Sequence, residues 1–170
     1  MSNILDTIPL GEHVDIRGPT GEILYQGHSR FTINGEEHTF TKVNLVLGGS
    51  GITPGYALLA RAVLGVNEDM MQVRVVDGNK SQKDILLKDE LEDLERKSKG
   101  NLKVTHVLSH PEEGWEGLKG HVNEEVLKGS LFGPGEDTVT FLCGPPGMIQ
   151  KAALPALKGM FSVLFGQNES

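Results

Sequence analysis

Hydrophobic and polar residues follow two different patterns along this chain. After residue 42, short apolar runs alternate with segments whose apolar residues recur at helical spacing. The apolar runs are typical of strands buried on both faces of a sheet, and they lie at residues 43–47, 71–76, 102–108 and 138–143. The helical pattern covers residues 54–64, 81–97, 123–127 and 148–157. Strands that alternate with helices predict an α/β fold with three layers, a doubly wound parallel sheet of about five strands.

Residues 1–42 have a different pattern, in which short β-prone pieces alternate with turns. The pieces lie at residues 13–17, 22–26, 30–33 and 38–41. Asn34-Gly35 between two extended runs indicates a two-residue hairpin. We therefore expect a small antiparallel β meander ahead of the parallel sheet, too small to form a domain alone.

The first parallel strand runs into a glycine-rich turn. Gly48, Gly49, Ser50 and Gly51 follow its last apolar residue, and then come Thr53, a favourable N-cap, and Pro54, a favourable first helical residue. Glycines let backbone N–H groups approach an anion, and a helix N-terminus adds partial positive charge. The turn is thus a candidate phosphate site, although tight turns of this kind also use glycine for geometry alone.

A second turn follows the strand at residues 138–143. It begins at Cys143, the only cysteine, and continues through Gly144, Pro145, Pro146 and Gly147. Ligands of open α/β sheets bind beyond the carboxyl ends of the strands. If the first and fourth parallel strands are neighbours, both turns face one cleft.

Composition narrows the classes of partner. The chain has 170 residues and a formal charge of −7 without any Lys/Arg cluster, which argues against nucleic acid and anionic membranes. There is no apolar stretch long enough for a membrane span and no secretory signal pattern. A single cysteine fits a reducing compartment, so we expect a cytoplasmic protein. The six histidines lack metal-ligand spacing; we expect no metal site and place them on loops and surfaces.

Four motifs together resemble a known family. In chain order they read G-G-S-G-I-T-P, D-G-N-K-S-Q-K-D-I-L-L, G-H-V-N-E-E and C-G-P-P-G-M-I-Q. They resemble the NAD(P)H-binding domain of the ferredoxin–NADP reductase superfamily, in the branch of cytochrome b5 reductase and fungal-type nitrate reductase. Residues 14–21 also resemble the end of that family's flavin domain. The resemblance implies that residues 1–42 are the end of a flavin domain and its linker, and that residues 43–170 are the NAD(P)H-binding domain.

The resemblance also implies a site. A reduced nicotinamide would lie between the two turns and pass a hydride to an FAD held mainly by a preceding domain, with haem and a molybdenum centre beyond it in nitrate reductases. The implied residues of the first turn are Gly48, Gly49, Ser50, Gly51, Thr53 and Pro54. Those of the second turn are Gly144, Pro145, Pro146, Met148 and Cys143, which would orient the nicotinamide without a covalent step. Asn79 and Lys80 match positions on the adenosine side.

One position bears on the choice of dinucleotide. NADH users of the family place an aspartate where this chain has Ser109, and a carboxylate there repels a 2′-phosphate. Ser109 and the following His110 remove that repulsion, so we expect NADPH to be accepted and preferred over NADH. Lys80 or Arg74 would supply positive charge. The alternative is that Ser109 only begins a loop.

Three features depart from the family pattern. The R-x-Y-[ST] flavin motif is missing, Gly147 replaces a third proline, and the family's terminal aromatic residue is replaced by Ser170, with Phe165 the nearest candidate. Residues 161–165 remain a candidate final edge strand.

We therefore expect an oxidoreductase portion of the NADPH-dependent nitrate reductase type, inactive without an FAD-binding domain supplied in cis or in trans. The alternatives are a stand-alone pyridine-nucleotide binding or sensing module, electron transfer of the cytochrome b5 reductase type, and a truncated product without activity.

Overall fold

The part of the chain that the structure describes forms two sheets, one antiparallel and one parallel. A computed structural model describes residues 6–15, 17, 21–64 and 71–162. The larger sheet carries helices on both faces, and none of the helices in these ranges is long and apolar enough to cross a membrane. The expected fold, an α/β sheet preceded by a β meander, is confirmed.

The antiparallel sheet has three strands in the order β1-β2-β3. They are β1 (Ile23–Gly27), β2 (Arg30–Ile33) and β3 (Glu36–Thr39). Asn34 and Gly35 join β2 to β3 with φ angles of 52° and 86°, as a tight hairpin turn requires. The β piece expected at residues 13–17 is wrong, because residues 13–15 and 17 form no strand and pair with none of the described strands; residue 16 lies outside the described residues.

The parallel sheet has five strands in the order β7-β6-β5-β4-β8. They are β4 (Lys42–Gly48), β5 (Gln72–Asn79), β6 (Leu102–Leu108), β7 (Leu118–Lys119) and β8 (Thr138–Cys143). The fifth strand is thus β7, next to β6. The prediction of a final edge strand at residues 161–165 is wrong for its first two residues. Residues 161 and 162 continue a helix, and residues 163–165 lie outside the described part of the chain.

Helices cover both faces of the parallel sheet. They are α1 (Ile52–Leu64), α2 (Lys88–Lys97), α3 (Glu124–Ser130), α4 (Pro146–Met148) and α5 (Leu154–Ser162), with a π-helical segment (Ile149–Ala153) between the last two. One core cluster joins Leu45 and Val75 of the sheet to Leu59 and Leu91 of α1 and α2. The cluster on the other face is formed by Val46, Val76, Val107, Leu127 and Leu157. Apolar side chains of β4 and β5 therefore pack into a core cluster on each face of the sheet, so neither strand has a solvent-exposed polar face.

Helix α2 begins later than its sequence pattern indicates. Ser81 and Asp84 form the expected capping box, but at a 3₁₀ turn (Gln82–Asp84). Leu87 then adopts a left-handed conformation, with φ of 55°, before the helix proper. The charged face of α2 carries ion pairs four residues apart, such as Lys88–Glu92 at 2.9 Å, which confirms a solvated surface.

Candidate functional site

The two glycine-rich turns lie side by side at the carboxyl edge of the parallel sheet. Strand β4 pairs with β8, and Leu47 stands opposite Cys143 in the register. A Cβ on Gly51 would collide with the Cys143 carbonyl, and one on Gly144 would lie 3.1 Å from the Gly48 nitrogen. The turns therefore touch through their backbones, and glycine is required at the contact. The expected adjacency of the two turns is confirmed.

The Met148 side chain packs beneath the contact between the two turns. A Cβ on Gly48 would lie 2.8 Å from the Met148 sulfur and 3.1 Å from Cδ of Pro145. Met148 itself is half-buried and packs against the core cluster under α3 and α5. Its side chain thus fills the space beneath the two turns and supports both of them.

The first helix begins differently from the expectation that Thr53 is its N-cap. A 3₁₀ turn (Gly49–Gly51) leads directly into α1 at Ile52. The Thr53 hydroxyl donates a hydrogen bond of 3.0 Å to the Ser50 carbonyl. Thr53 therefore ties the first turn of the helix back to the glycine turn, because the 3₁₀ turn has moved the helix start forward.

A cleft of about 910 Å³ opens beside the two turns, over the ends of β5 and β6. Several expected site residues line it: Gly49, Asn79, Lys80, Ser109, Pro145 and Met148. Cys143 and Pro54 instead line a second cavity of about 570 Å³, together with apolar residues of β1, β4 and α1. The structure thus places six expected residues in the cleft and two in the second cavity. The other six line neither of these cavities: Gly48, Ser50, Gly51, Thr53, Gly144 and Pro146.

Some walls of the larger cleft are bare backbone. Gly49 and Gly120 have φ angles of 53° and 106°, and a Cβ on either, or on Gly147, would meet nothing within 4 Å. Such surfaces let a ligand approach main-chain N–H groups closely, which a pyrophosphate needs. The donor set and the size of the cleft fit a dinucleotide.

The cleft is basic although the chain is acidic. Among the described residues, Lys80, Lys83 and Lys151 line it with a single carboxylate, Asp84. Lys83 pairs with Glu112 at 2.8 Å, and the hydrogen bond and charge of Glu112 raise the pKa of Lys83. Hydrogen bonds from the Ser81 side chain and backbone hold the pKa of Asp84 below its usual value, and Lys80 adds to the effect. Lys80 and Lys151 line the cleft and form no ion pair within the described residues.

Ser109 joins the ends of β5 and β6. Its N–H donates to the Asn79 carbonyl at 3.1 Å, and the His110 N–H donates to the Lys80 carbonyl at 2.7 Å. The Ser109 hydroxyl lies 2.9 Å from Nδ1 of His110. These bonds hold Asn79, Lys80 and Ser109 together at one end of the cleft.

Of the two cations considered for the cleft, Lys80 lines it and Arg74 does not. The Arg74 guanidinium instead lies 4.6 Å from the Phe132 ring centre, near the opposite end of β5. The expectation that all the histidines lie on loops and surfaces is wrong for His106. It lies in β6 with only 14% of its side chain exposed, and its Nδ1 is 3.0 Å from Oδ2 of Asp77.

Sequence reasoning missed several residues of the cleft: Lys83, Gly120, His121, Val122 and Lys151. Gly120, His121 and Val122 open the motif G-H-V-N-E-E, whose first residue is the third glycine of the segment 114–120. That spacing of glycines after a predicted strand could have placed the motif at the sheet edge. The sequence contains no pattern that would predict Lys151 as a cleft residue, because it lies in a predicted helix with an ordinary alternation of surface and core positions.

Comparisons with known proteins show the family of this chain. The family model for the oxidoreductase NAD-binding domain matches residues 45–153. Nitrate reductase (NADH) 1 of Zea mays is 38% identical over 163 residues, which are 94% of this chain and 26% of that protein. NADH-cytochrome b5 reductase 1 of Bos taurus is 38% identical over 163 residues, 92% of this chain and 53% of that protein. The chain therefore spans about a quarter of the first relative and about half of the second.

A solved structure agrees along nearly the whole chain. The crystal structure of the cytochrome b5 reductase domain of Ulva prolifera nitrate reductase superimposes with a TM-score of 0.87 at 29% identity. The match covers 94% of this chain and 61% of that one.

Proposed function

The chain belongs to the oxidoreductase NAD-binding domain family of the ferredoxin–NADP reductase superfamily, and from this we propose that it is the nucleotide-binding portion of a nitrate reductase-type flavoprotein. The observation that carries the proposal is the backbone contact between the two glycine turns beside a basic cleft of about 910 Å³. When bound, the reduced nicotinamide supplies a hydride to an FAD held mainly by a separate domain.

The residues of the paired turns bind and orient the dinucleotide in this proposal. Gly49 and the start of α1 receive the pyrophosphate, where main-chain N–H groups and the helix end favour an anion. Cys143 orients the nicotinamide from the end of β8 and forms no covalent bond to it. Pro145 and Pro146 keep this second turn rigid. Asn79 and Lys80 lie at the adenosine end.

We propose that NADPH is preferred over NADH. Ser109 carries no negative charge, and Lys80 lines the cleft beside it without an ion pair among the described residues. Ser109 and His110 add hydrogen-bonding groups at the same place. A 2′-phosphate therefore meets one cation and several polar groups, and no carboxylate stands at position 109 to repel it. The two relatives compared above are named as NADH enzymes, so Ser109 is where this chain is proposed to differ.

The proposal also assigns the two parts of the chain. Residues 1–42, including the meander, form the end of a flavin domain and its linker, and residues 43–170 form the NAD(P)H-binding domain. The FAD-binding domain acts in cis or in trans, and haem and a molybdenum centre belong to further domains of the complete enzyme. The isolated chain is then inactive in electron transfer, and we place it in the cytoplasm.

Titration calorimetry tests the proposal directly. The chain is titrated with NADPH and NADH, and then joined to the FAD-binding domain of a cytochrome b5 reductase and supplied with ferricyanide. We expect binding of both dinucleotides, tighter for NADPH, and turnover only in the joined protein. If neither dinucleotide binds, the proposal is overturned. Sustained turnover of the isolated chain with added FAD would overturn the assignment of the flavin site to a separate domain.

A second candidate is electron transfer of the cytochrome b5 reductase type, because the bovine enzyme is as similar to this chain, at 38% identity, as the maize nitrate reductase. The same joined protein separates the two functions. Reduction of cytochrome b5 at a rate similar to that of ferricyanide would favour this second candidate.

A further inference from the structure

Asp77 is a buried carboxylate near the carboxyl end of β5. Only 1% of its surface is exposed. It lies opposite Leu47 of β4 and His106 of β6, on the face of the sheet that α1 and α2 cover. Its Oδ2 accepts a hydrogen bond of 2.8 Å from Nδ2 of Asn79 and lies 3.0 Å from Nδ1 of His106. Its Oδ1 is buried without a partner among the described residues.

Core packing does not account for this carboxylate. Val73 and Val75 precede it on the same face of β5 and are fully buried. An apolar residue would continue that pattern, whereas a buried carboxylate with one unpaired oxygen costs stability. Polar groups that are costly to bury point to a role that the apolar alternative cannot fill.

Two elements supply the charges around Asp77. His106 of β6 is its direct neighbour. Glu92 of α2 lies near His106, and Lys88 pairs with Glu92 at 2.9 Å. The hydrogen bond and charge of Lys88 lower the pKa of Glu92, with a smaller contribution from His106. His106 therefore contacts the Asp77 carboxylate directly, and that contact holds the Asp77 side chain in place.

The group that Asp77 fixes lies in the cleft. Asn79 follows two residues later on the same face of β5, and it lines the cleft beside Lys80 and Ser109. Its backbone carbonyl accepts the Ser109 N–H at 3.1 Å. Asp77 accepts one hydrogen of the Asn79 side-chain amide. The side-chain oxygen Oδ1 and the second hydrogen on Nδ2 are therefore left for a ligand. Both the main chain and the side chain of Asn79 are thereby held.

We propose that Asp77 is a positioning residue that fixes the Asn79 amide for hydrogen bonding to the adenosine half of the dinucleotide, with His106 supporting its carboxylate. The inference rests on the proposed function of the cleft. It predicts that Asp77 acts on binding only through Asn79, although Asp77 itself does not line the cleft.

A double-mutant cycle on the full chain tests the inference, with NADPH as the probe in calorimetry. We expect Asp77→Leu and Asn79→Ala each to weaken binding about tenfold, the value of one lost hydrogen bond. Asp77→Asn keeps an acceptor oxygen, so we expect its dissociation constant within about threefold of wild type. In the Asn79→Ala background, Asp77→Leu should then have no further effect.

The outcomes separate this inference from the proposed function. If the wild-type chain binds NADPH but the two substitutions weaken binding additively, or if Asp77→Leu leaves the dissociation constant unchanged, the positioning role is overturned and the function stands. If the wild-type chain binds neither NADPH nor NADH, both are overturned.

A measurement on the wild-type chain needs no variant to fold. The side-chain amide of Asn123 is the comparison, since its nitrogen donates no hydrogen bond within the described residues. We expect one amide hydrogen of Asn79 to exchange with solvent at least about tenfold more slowly than those of Asn123. Equal exchange at the two sites overturns the proposed hold of Asp77 on Asn79.

Discussion

Gly51 packs directly against the carbonyl group of Cys143, with no room between them for a Cβ. The contact joins residues from two turns that lie far apart in sequence. Because Gly48 also packs against the Met148 sulfur, the two turns form one rigid unit. The orientation of Cys143 is therefore set partly by the glycine turn after β4.

Gly51→Ala tests this unit. The added Cβ collides with backbone, which cannot move aside as a flexible side chain can, so we expect a loss of at least about 2 kcal/mol in the free energy of unfolding. Urea unfolding measures the loss, and calorimetry should show weakened NADPH binding in the same variant.

Gly129→Ala is the matched control, because Gly129 lies in α3 and a Cβ there meets nothing within 4 Å. It should raise the free energy of unfolding by about 0.5–1 kcal/mol and leave binding unchanged. Equal stabilities of the two variants would contradict the proposed role of the contact between the turns.

Much of this architecture could be predicted from local pattern. The strand of Val43 to Leu47 and the turn at Asn34-Gly35 depend on residues adjacent in sequence, and both are found as expected. The pairing of β4 with β8 could be anticipated only as a possibility, because strand order depends on contacts between distant segments. The family resemblance made that possibility specific.

The errors have both local and long-range physical origins. The start of α2 was misplaced because the Ser81 capping box is a real signal that here serves a 3₁₀ turn. His106 was placed on the surface because nothing in its own neighbourhood shows that Asp77 lies across the sheet from it. Strand β7 has only two residues, too few to produce a recognisable alternation.

The dinucleotide preference is predicted to depend on Ser109. In Ser109→Asp a carboxylate faces the proposed position of the 2′-phosphate and accepts from a ribose 2′-hydroxyl. We expect the ratio of the NADPH to the NADH dissociation constant to rise at least about tenfold, or about 1.4 kcal/mol. Calorimetry with both dinucleotides measures the ratio.

Ser109→Asn is the control for Ser109→Asp, since asparagine has nearly the same shape without the charge. Its ratio should stay within about threefold of wild type. Similar shifts in the two variants would show that bulk rather than charge sets the preference.

Cys143 is predicted to affect hydride transfer more than binding. In the chain joined to an FAD-binding domain, Cys143→Ser should slow flavin reduction about tenfold, because small displacements of reacting groups have large effects on rate. The dissociation constant for NADPH should change less than about threefold. Stopped-flow absorbance of the flavin measures the first quantity and calorimetry the second; an equal loss in both would assign Cys143 to binding alone.

Gly147 offers a stabilising substitution. It lies in α4 without a positive φ, and a Cβ there would meet nothing within 4 Å. Gly147→Ala should therefore raise the free energy of unfolding by about 0.4–1 kcal/mol, by restricting the unfolded chain. Thermal unfolding measures the gain, and a lower melting temperature would reveal a need for glycine that the geometry does not contain.

Asp137 links the start of β4 to the approach to β8. The Thr41 hydroxyl donates to its Oδ2 at 2.6 Å, and Nζ of Lys42 lies 3.3 Å from the same atom. These contacts, the Thr41 hydrogen bond first, lower the pKa of Asp137 from its ordinary value of 3.8. A group whose pKa is lower in the folded state stabilises the fold above its unfolded pKa and loses that contribution as pH falls through the folded pKa. Wild type should thus exceed Asp137→Asn in stability at pH 7, with the difference shrinking below about pH 4.

Urea unfolding of the wild-type and Asp137→Asn proteins between pH 7 and about pH 2.5 measures this difference, from which the titration of all other groups cancels. Glu136→Gln serves as the control, since Glu136 makes no hydrogen bond or ion pair among the described residues and its replacement should change stability little at any pH. A difference between wild type and Asp137→Asn that stays constant over the whole range would contradict the assignment, because Asp137 would then stabilise the fold equally in its neutral form. The contact would in that case depend on shape and hydrogen bonding at Thr41, with no contribution from the charge that Lys42 faces.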